Sequence, residues 1–181
     1  MMPDMSSPEL TPTSPLVERY RALLDVGATL LGSSDLPALY RAIYAETANV
    51  IELSEFSLAL YDRERDVATV VFSVADGTEC ESGFTFRSSD CDVLRTGDPT
   101  SIENQTDSCP IPFRQHGESN IARSTLCVPL LSGDRAAAAL TIYALGADVY
   151  EAIDVDLLGR VSDIAAVALE NMRHVEELKR R

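Results

Sequence analysis

The chain has 181 residues, with 15 basic and 29 acidic side chains, 45% apolar residues and no tryptophan. A chain of this length accommodates one domain with a substantial hydrophobic core. The net charge of −14 repels a phosphate backbone, and no basic stripe counters it, so nucleic-acid binding is not expected. No apolar run approaches the roughly 20 residues of a membrane span, and no signal-peptide pattern opens the chain. We therefore expect a cytoplasmic protein that does not bind membranes.

The N-terminal third of the chain predicts two helices after a short leader. Residues 1–15 contain four prolines and few apolar groups, so we expect a disordered leader, followed by a single domain over residues 16–181. Apolar residues then recur every three or four positions from Leu16 to Leu31, which predicts a helix that Gly32 ends. A second helix is expected to begin after Ser34 or Asp35 as its cap and to stop near Leu53.

The middle of the chain changes to a period of two, which is typical of strands. Residues 56–62 and 67–74 are expected to form a hairpin around a charged turn, and residues 123–131 and 135–144 a second one. The second hairpin contains an alanine run at residues 136–139 that is also compatible with a helix. Between the hairpins, residues 76–117 are rich in glycine and proline, and long irregular segments of this kind often carry function.

The last 31 residues predict a long helix, from about Glu151 to Arg181. Acidic residues open it and Lys179 to Arg181 close it, which complements the helix dipole. Its apolar positions repeat at nearly heptad spacing as far as Leu178. We expect the first half to cover the sheet and residues 170–181 to extend as a coiled-coil or signalling helix that pairs with a second copy; a solvated tail is the alternative.

Four stretches, in this order along the chain, resemble the GAF domain family. They are LPALYRAI at Leu36–Ile43, RTGDP at Arg95–Pro99, RSTLCVPL at Arg123–Leu130 and IAAVALEN at Ile164–Asn171. The resemblance implies an α/β (α+β) fold with a central antiparallel sheet of about six strands. The first, second and last helices are then expected on one face, with the irregular segment over a small-molecule pocket on the other.

The resemblance also implies a sensory module of a larger signalling protein. We expect it to bind a small molecule of unidentified chemistry, to form a homodimer through its terminal helices, and to relay ligand state to a downstream effector domain. The sequence identifies no cofactor. The candidate ligand-binding residues are Phe84, Phe86, Asp90, Cys109, Phe113, His116, Thr125, Cys127 and Tyr143.

Alternation along the second hairpin gives part of this set a physical basis. Thr125, Cys127 and Pro129 share one face of a strand, as do Thr141 and Tyr143, and we expect these faces to meet the ligand. The alternative is that Thr and Cys are small core residues. The acidic middle segment favours a cation or an amine-bearing ligand if its carboxylates line a cavity, and is otherwise a solvated loop surface.

Two alternatives to a sensor follow from the same resemblance. Free methionine-(R)-sulfoxide reductases are GAF-domain enzymes, and by position Cys109 would be the nucleophile and Cys80 or Cys91 the resolving thiol. The sequence around these cysteines departs from the reductase pattern, so we expect no enzymatic activity. The other alternative is a dimerisation module without a ligand. The wide spacing of the cysteines argues against zinc, and Pro110, directly after Cys109, departs from the Cys-His pattern of bilin attachment.

Overall fold

The computed structural model describes residues 15–102 and 123–181, in which helices and strands follow the predicted order. The helices are α1 Pro15–Leu31, α2 Leu36–Val50, a 3₁₀ turn Ser88–Asp90, α3 Asp92–Thr96 and α4 Ala152–Arg180, and the strands are β1 Glu55–Asp62, β2 Val67–Ala75, β3 Thr78–Glu79, β4 Thr85–Phe86, β5 Thr100–Ile102, β6 Arg123–Ser132 and β7 Arg135–Leu145. Pro15, assigned to the leader from the sequence, begins α1. The rest of the predicted leader, and Cys109, Phe113 and His116, lie outside the described residues.

The start of α2 is fixed by the cap that the sequence predicts. The Asp35 carboxylate accepts the backbone N–H of Ala38 at 2.8 Å, and proline in the first turn needs no intrahelical donor. The helix ends at Val50, three residues before the predicted end. Ile51 already has extended backbone angles, φ −135° and ψ 138°, and its side chain is buried, so burial in the core ends the helix earlier than periodicity indicates.

The sheet is antiparallel and has the order β3-β2-β1-β7-β6-β5, with β4 pairing to β2 beside this path. This arrangement confirms the predicted α+β fold. The register shifts between Leu58 and Ala59 where β1 meets β2, and between Leu130 and Leu131 where β6 meets β7. Each shift is a bulge that changes which side chains face a given side of the sheet.

The alanine run lies in a strand, at the centre of the sheet. β7 pairs with β1 on one side and with β6 on the other. Ala138 and Ala139 point to opposite faces and are 1% and 0% exposed. Small methyl side chains at this position allow the layers above and below the sheet to approach closely, and the strand pairing overrides the helix propensity of alanine.

The first face of the sheet carries the helices. α4 packs on β6 and against α2, and α1 packs on α2 and α4. The core between them contains Leu39, Ile43, Phe56, Ile142 and Leu157, all of them fully buried. This arrangement confirms the prediction that the first, second and last helices share one face.

Helix α4 becomes more exposed in its second half. Its fully buried positions end at Leu169, whereas Val175 and Leu178 further along are 43% and 71% exposed. The first half therefore covers the sheet, as its periodicity predicts, and beyond Leu169 the helix is mostly exposed, with Met172 still packed against the helix-side core. Among the described helices, none combines the length and the apolar content that crossing a membrane requires.

Candidate ligand-binding face

The second face of the sheet, opposite the helices, has its own smaller core. α3 lies over it and contacts β6 and β7, the 3₁₀ turn contacts α3, and β4 pairs with β2 at the edge of the sheet. Ala59, Val70 and Ala139 from the sheet meet Val93 and Leu94 from this cover. Helix α3, which belongs to the irregular segment, therefore covers part of the second face, as the resemblance implied.

A row of small polar side chains crosses this face at one level of four neighbouring strands. Ser73 on β2 pairs with Ser57 on β1, Ser57 pairs with Thr141 on β7, and Thr141 pairs with Cys127 on β6. We call Ser73, Ser57, Thr141 and Cys127 the polar row. Their neighbours in sequence, such as Phe56, Leu126 and Ile142, belong to the helix-side core, so alternation places the polar row on the second face.

Ser57 is the unusual member of the polar row. Its side chain is 0% exposed, and its Oγ atom has no hydrogen-bond partner. The other two hydroxyls are engaged: Thr141 Oγ1 donates to Cys127 Sγ at 3.1 Å, and Ser73 Oγ donates to the Glu81 carbonyl at 3.5 Å. Because leaving a buried hydroxyl unsatisfied costs about 1–3 kcal/mol, such an atom calls for an explanation, and a ligand is one.

Two cysteines lie close together at one end of the polar row, where Cys127 is its last member and Cys91 its neighbour. Cys91, between the 3₁₀ turn and α3, is 1% exposed, and Cys127 is 0% exposed; both lie in the second-face core. The pKa of the Cys91 thiol is lowered to about 7, first by a hydrogen bond with the Cys127 side chain and further by the backbone N–H groups of Leu94 and Val93, against the opposing effect of burial. These hydrogen bonds therefore favour the thiolate form of Cys91 more than the surroundings of an ordinary cysteine would.

The structure brings together five of the predicted site residues. Thr125, Cys127 and Tyr143 lie on the second face, where Thr125 and Cys127 pair with Tyr143 and Thr141 across β6 and β7. Phe86 is buried in the second-face core and Phe84 packs against it. The expected shared facing of Thr125, Cys127, Thr141 and Tyr143 is thus observed.

Asp90 is placed differently from these five residues. Its side chain is exposed, and its carboxylate accepts the backbone N–H of Arg87 at 3.2 Å, which closes the 3₁₀ turn. Glu79, another acid of this segment, pairs with Arg41 of α2. These two carboxylates therefore stabilise local structure at the surface and do not line the second face.

Ser57 and Ser73 were missed in the sequence. Ser57 stands between Phe56 and Leu58, so alternation already placed its side chain on the face opposite to these two residues of the helix-side core. Its position level with Thr141 was not, because that position follows from pairing β1 with β7, two strands that are far apart in the chain. The contact of Cys91 with Cys127 was also missed, since their spacing matches no known motif.

Two surface grooves lie elsewhere, at the end of the sheet beside α4. They have volumes of about 210 Å³ and 490 Å³, and Leu60 and Arg173 line both. Neither groove is lined by a predicted site residue. Within the described ranges, no three His, Cys, Asp or Glu side chains are placed to hold a metal ion.

An antiparallel sheet with the first, second and last helices on one face and an irregular segment on the other defines an α+β domain of a well-populated class. The family model described as GAF domain matches residues 33–170. The chain belongs to the GAF domain family. Comparison with curated proteins found no match.

Solved structures share this fold at low sequence identity. The GAF domain of an Acinetobacter phosphoenolpyruvate-protein phosphotransferase is 14% identical, with 88% of this chain and 98% of that chain covered and a TM-score of 0.71. Free methionine-R-sulfoxide reductase from Neisseria meningitidis, in complex with its substrate, is 15% identical, with 94% and 99% covered and a TM-score of 0.71. The chromophore-binding domain of an R. palustris bacteriophytochrome is 11% identical, with 92% and 64% covered and a TM-score of 0.68.

Proposed function

We propose that this GAF domain is a sensory module that binds a small molecule on the second face of its sheet, at the polar row. The observation that carries the proposal is the fully buried Ser57 hydroxyl without a hydrogen-bond partner. A ligand that presents one polar atom to Ser57 would satisfy this hydroxyl. The apolar side chains of the second-face core would then hold the remainder of the ligand.

The similar structures support the use of this fold for small molecules. The Neisseria reductase is in complex with its substrate, and the R. palustris domain is chromophore-binding. These ligands differ in chemistry, so the fold alone names none for this chain. The polar row narrows the range of ligand chemistry, because three hydroxyls and a thiol at one level favour a ligand that exchanges hydrogen bonds over a purely apolar one.

We further propose that the domain works as a homodimer and relays ligand state along α4. The last buried residue of the helix is Leu169, and an apolar stripe that includes Val167, Val175 and Leu178 is 54%, 43% and 71% exposed at these positions. Exposed apolar side chains at helical spacing gain most from packing on a partner helix. A change at the second face would reach this helix through the sheet, since α4 packs directly on β6.

Ligand binding is tested by native mass spectrometry of freshly purified protein, with an ultraviolet-visible spectrum of the same sample. The dialysed chain is then equilibrated with the small-molecule fraction of a cell extract and measured again. We expect a non-covalent mass on the chain in one or both samples. Bare protein in both samples would favour the dimerisation module without a ligand.

A reductase is the second candidate, favoured by the lowered pKa of Cys91 and by the likeness to the Neisseria enzyme. A thiolate attacks the sulfur of a sulfoxide, and a second thiol resolves the intermediate. Turnover of free methionine-(R)-sulfoxide with a thiol reductant measures this directly. Activity that Cys91→Ser abolishes would establish the enzyme; absence of turnover with the thiols fully reduced leaves the sensor.

A further inference from the structure

The second face holds a pair of thiols whose position follows from the fold and not from sequence spacing. Cys127 lies at the middle of β6, in the polar row, and Cys91 directly precedes α3, which packs on β6 and β7. Both side chains are buried in the same small core. Their juxtaposition is therefore a property of how the cover segment docks on the sheet.

The two thiols have unequal surroundings, which gives them different chemical roles. Cys91 stands directly before α3, where a hydrogen bond with the Cys127 side chain, and to a smaller extent the backbone N–H groups of Leu94 and Val93, favour its thiolate. Cys127 Sγ accepts the Thr141 hydroxyl at 3.1 Å. Cys91 is therefore the thiol that attacks the oxidant, and Cys127 lies beside it as the thiol that resolves the oxidised Cys91 by forming a disulfide.

We propose that Cys91 and Cys127 form a hydroperoxide-sensitive dithiol site that closes reversibly to a disulfide between α3 and β6. The inference is independent of the proposed ligand and holds whether or not the second face binds one. The thiol reactivity is distinct from the reductase assignment made from the sequence, which used Cys109 with Cys80 or Cys91.

The reaction balances with a hydroperoxide as the only oxidant. The Cys91 thiolate attacks the outer oxygen of ROOH and the O–O bond breaks, which leaves a sulfenic acid on Cys91 and an alcohol, or water where R is hydrogen. The Cys127 sulfur then attacks the sulfenic sulfur, and its proton leaves with the hydroxyl as water. Two electrons pass from the two thiols to the peroxide. Exchange with an external dithiol restores both thiols.

The burial of both sulfurs selects the oxidant. A small uncharged hydroperoxide can enter where a charged or bulky reagent is excluded, so the native pair is expected to react with hydrogen peroxide and to resist iodoacetate. The oxidation rate should rise about tenfold between pH 6 and pH 8, because the thiolate fraction of Cys91 rises over that range.

The test uses the full chain with Cys80→Ser and Cys109→Ser together, so that the two remaining thiols are those of the proposed pair. The protein is reduced, treated with hydrogen peroxide, denatured, alkylated and weighed, and its peptides are mapped. We expect the loss of both alkylation sites, a mass about 2 Da lower than that of the unalkylated reduced chain, and a Cys91–Cys127 linked peptide. Dithiothreitol should return both sites.

Single variants separate the roles of the two thiols. In the same background, Cys127→Ser is expected to stop at a Cys91 sulfenic acid that dimedone traps, and Cys91→Ser to give neither product. If either variant fails to fold by circular dichroism, Cys127→Ala or Cys91→Ala replaces it. Two free thiols that persist in the double variant after peroxide would overturn the proposal, as would, in the unmodified chain, a disulfide that joins Cys80 or Cys109 in place of this pair.

Discussion

Replacing Ser57 with alanine is expected to stabilise the ligand-free protein. The hydroxyl is 0% exposed and has no partner, so the folded state bears its desolvation without a compensating hydrogen bond. Removing an unsatisfied buried hydroxyl stabilises the folded state by about 1–3 kcal/mol, but the small void left in place of the oxygen atom cancels part of this gain. We expect a net gain of about 1 kcal/mol in the free energy of unfolding, or roughly 2–4 °C in Tm.

Urea denaturation followed by circular dichroism measures this difference on dialysed protein. Ser73→Ala is the matched control, because Ser73 is the neighbouring serine of the polar row and its hydroxyl already donates to the Glu81 carbonyl. The control is expected to be neutral or slightly destabilised, by up to about 1 kcal/mol. A loss of about 1 kcal/mol or more in Ser57→Ala would refute the reasoning, since it would mean that the hydroxyl is satisfied in the free protein.

Three further predictions test the packing of α4 on the sheet, the hydrogen bonds of Asp66 and the proposed dimer interface. Leu157→Ala, at a fully buried position where α4 covers the sheet, is expected to lower the free energy of unfolding by about 2–5 kcal/mol in urea; a loss below about 1 kcal/mol would show that α4 is not docked there. Hydrogen bonds from Ser88 and Tyr61 lower the pKa of Asp66, so its contribution to stability is present above the ordinary carboxyl pKa and is lost as pH falls through the lowered value. Asp66→Asn, which tolerates the φ of 51° at this position, should therefore be less stable than the unmodified chain at pH 7, and the two should converge in acid; a constant difference down to pH 2 would contradict this assignment. Val175→Glu with Leu178→Glu, or deletion of Met172 to Arg181, should shift sedimentation from dimer towards monomer, whereas Lys179→Glu should not; equal behaviour of all these variants would exclude the α4 stripe as the interface.

The sequence predicted most of the scaffold because the scaffold depends on local patterns. Asp35 caps α2 as predicted, and the predicted strands of the two hairpins begin and end within a few residues of the observed strands. Even the shared facing of Thr125 with Cys127, and of Thr141 with Tyr143, followed from alternation within each strand. Each of these features depends only on residues that are close together in the chain.

The candidate site was less accessible, since it depends on contacts between distant segments. That Ser57 lies beside Thr141 requires the pairing of β1 with β7, and that Cys91 meets Cys127 requires the docking of α3 on the sheet. The bulge opposite Leu130 and Leu131 also changes the parity of β7, so that Ala136 packs with the second-face core while Ala138, two residues further on, packs with the helices. Simple alternation does not predict such a change.

The most direct test of the proposed ligand site is a crystal structure of the chain with the molecule that native mass spectrometry identifies. We predict a polar atom of the ligand within about 3.5 Å of Ser57 Oγ, with the apolar part of the ligand against the second-face core. A ligand in the groove lined by Leu60 and Arg173, or one that leaves Ser57 without a partner, would contradict the account.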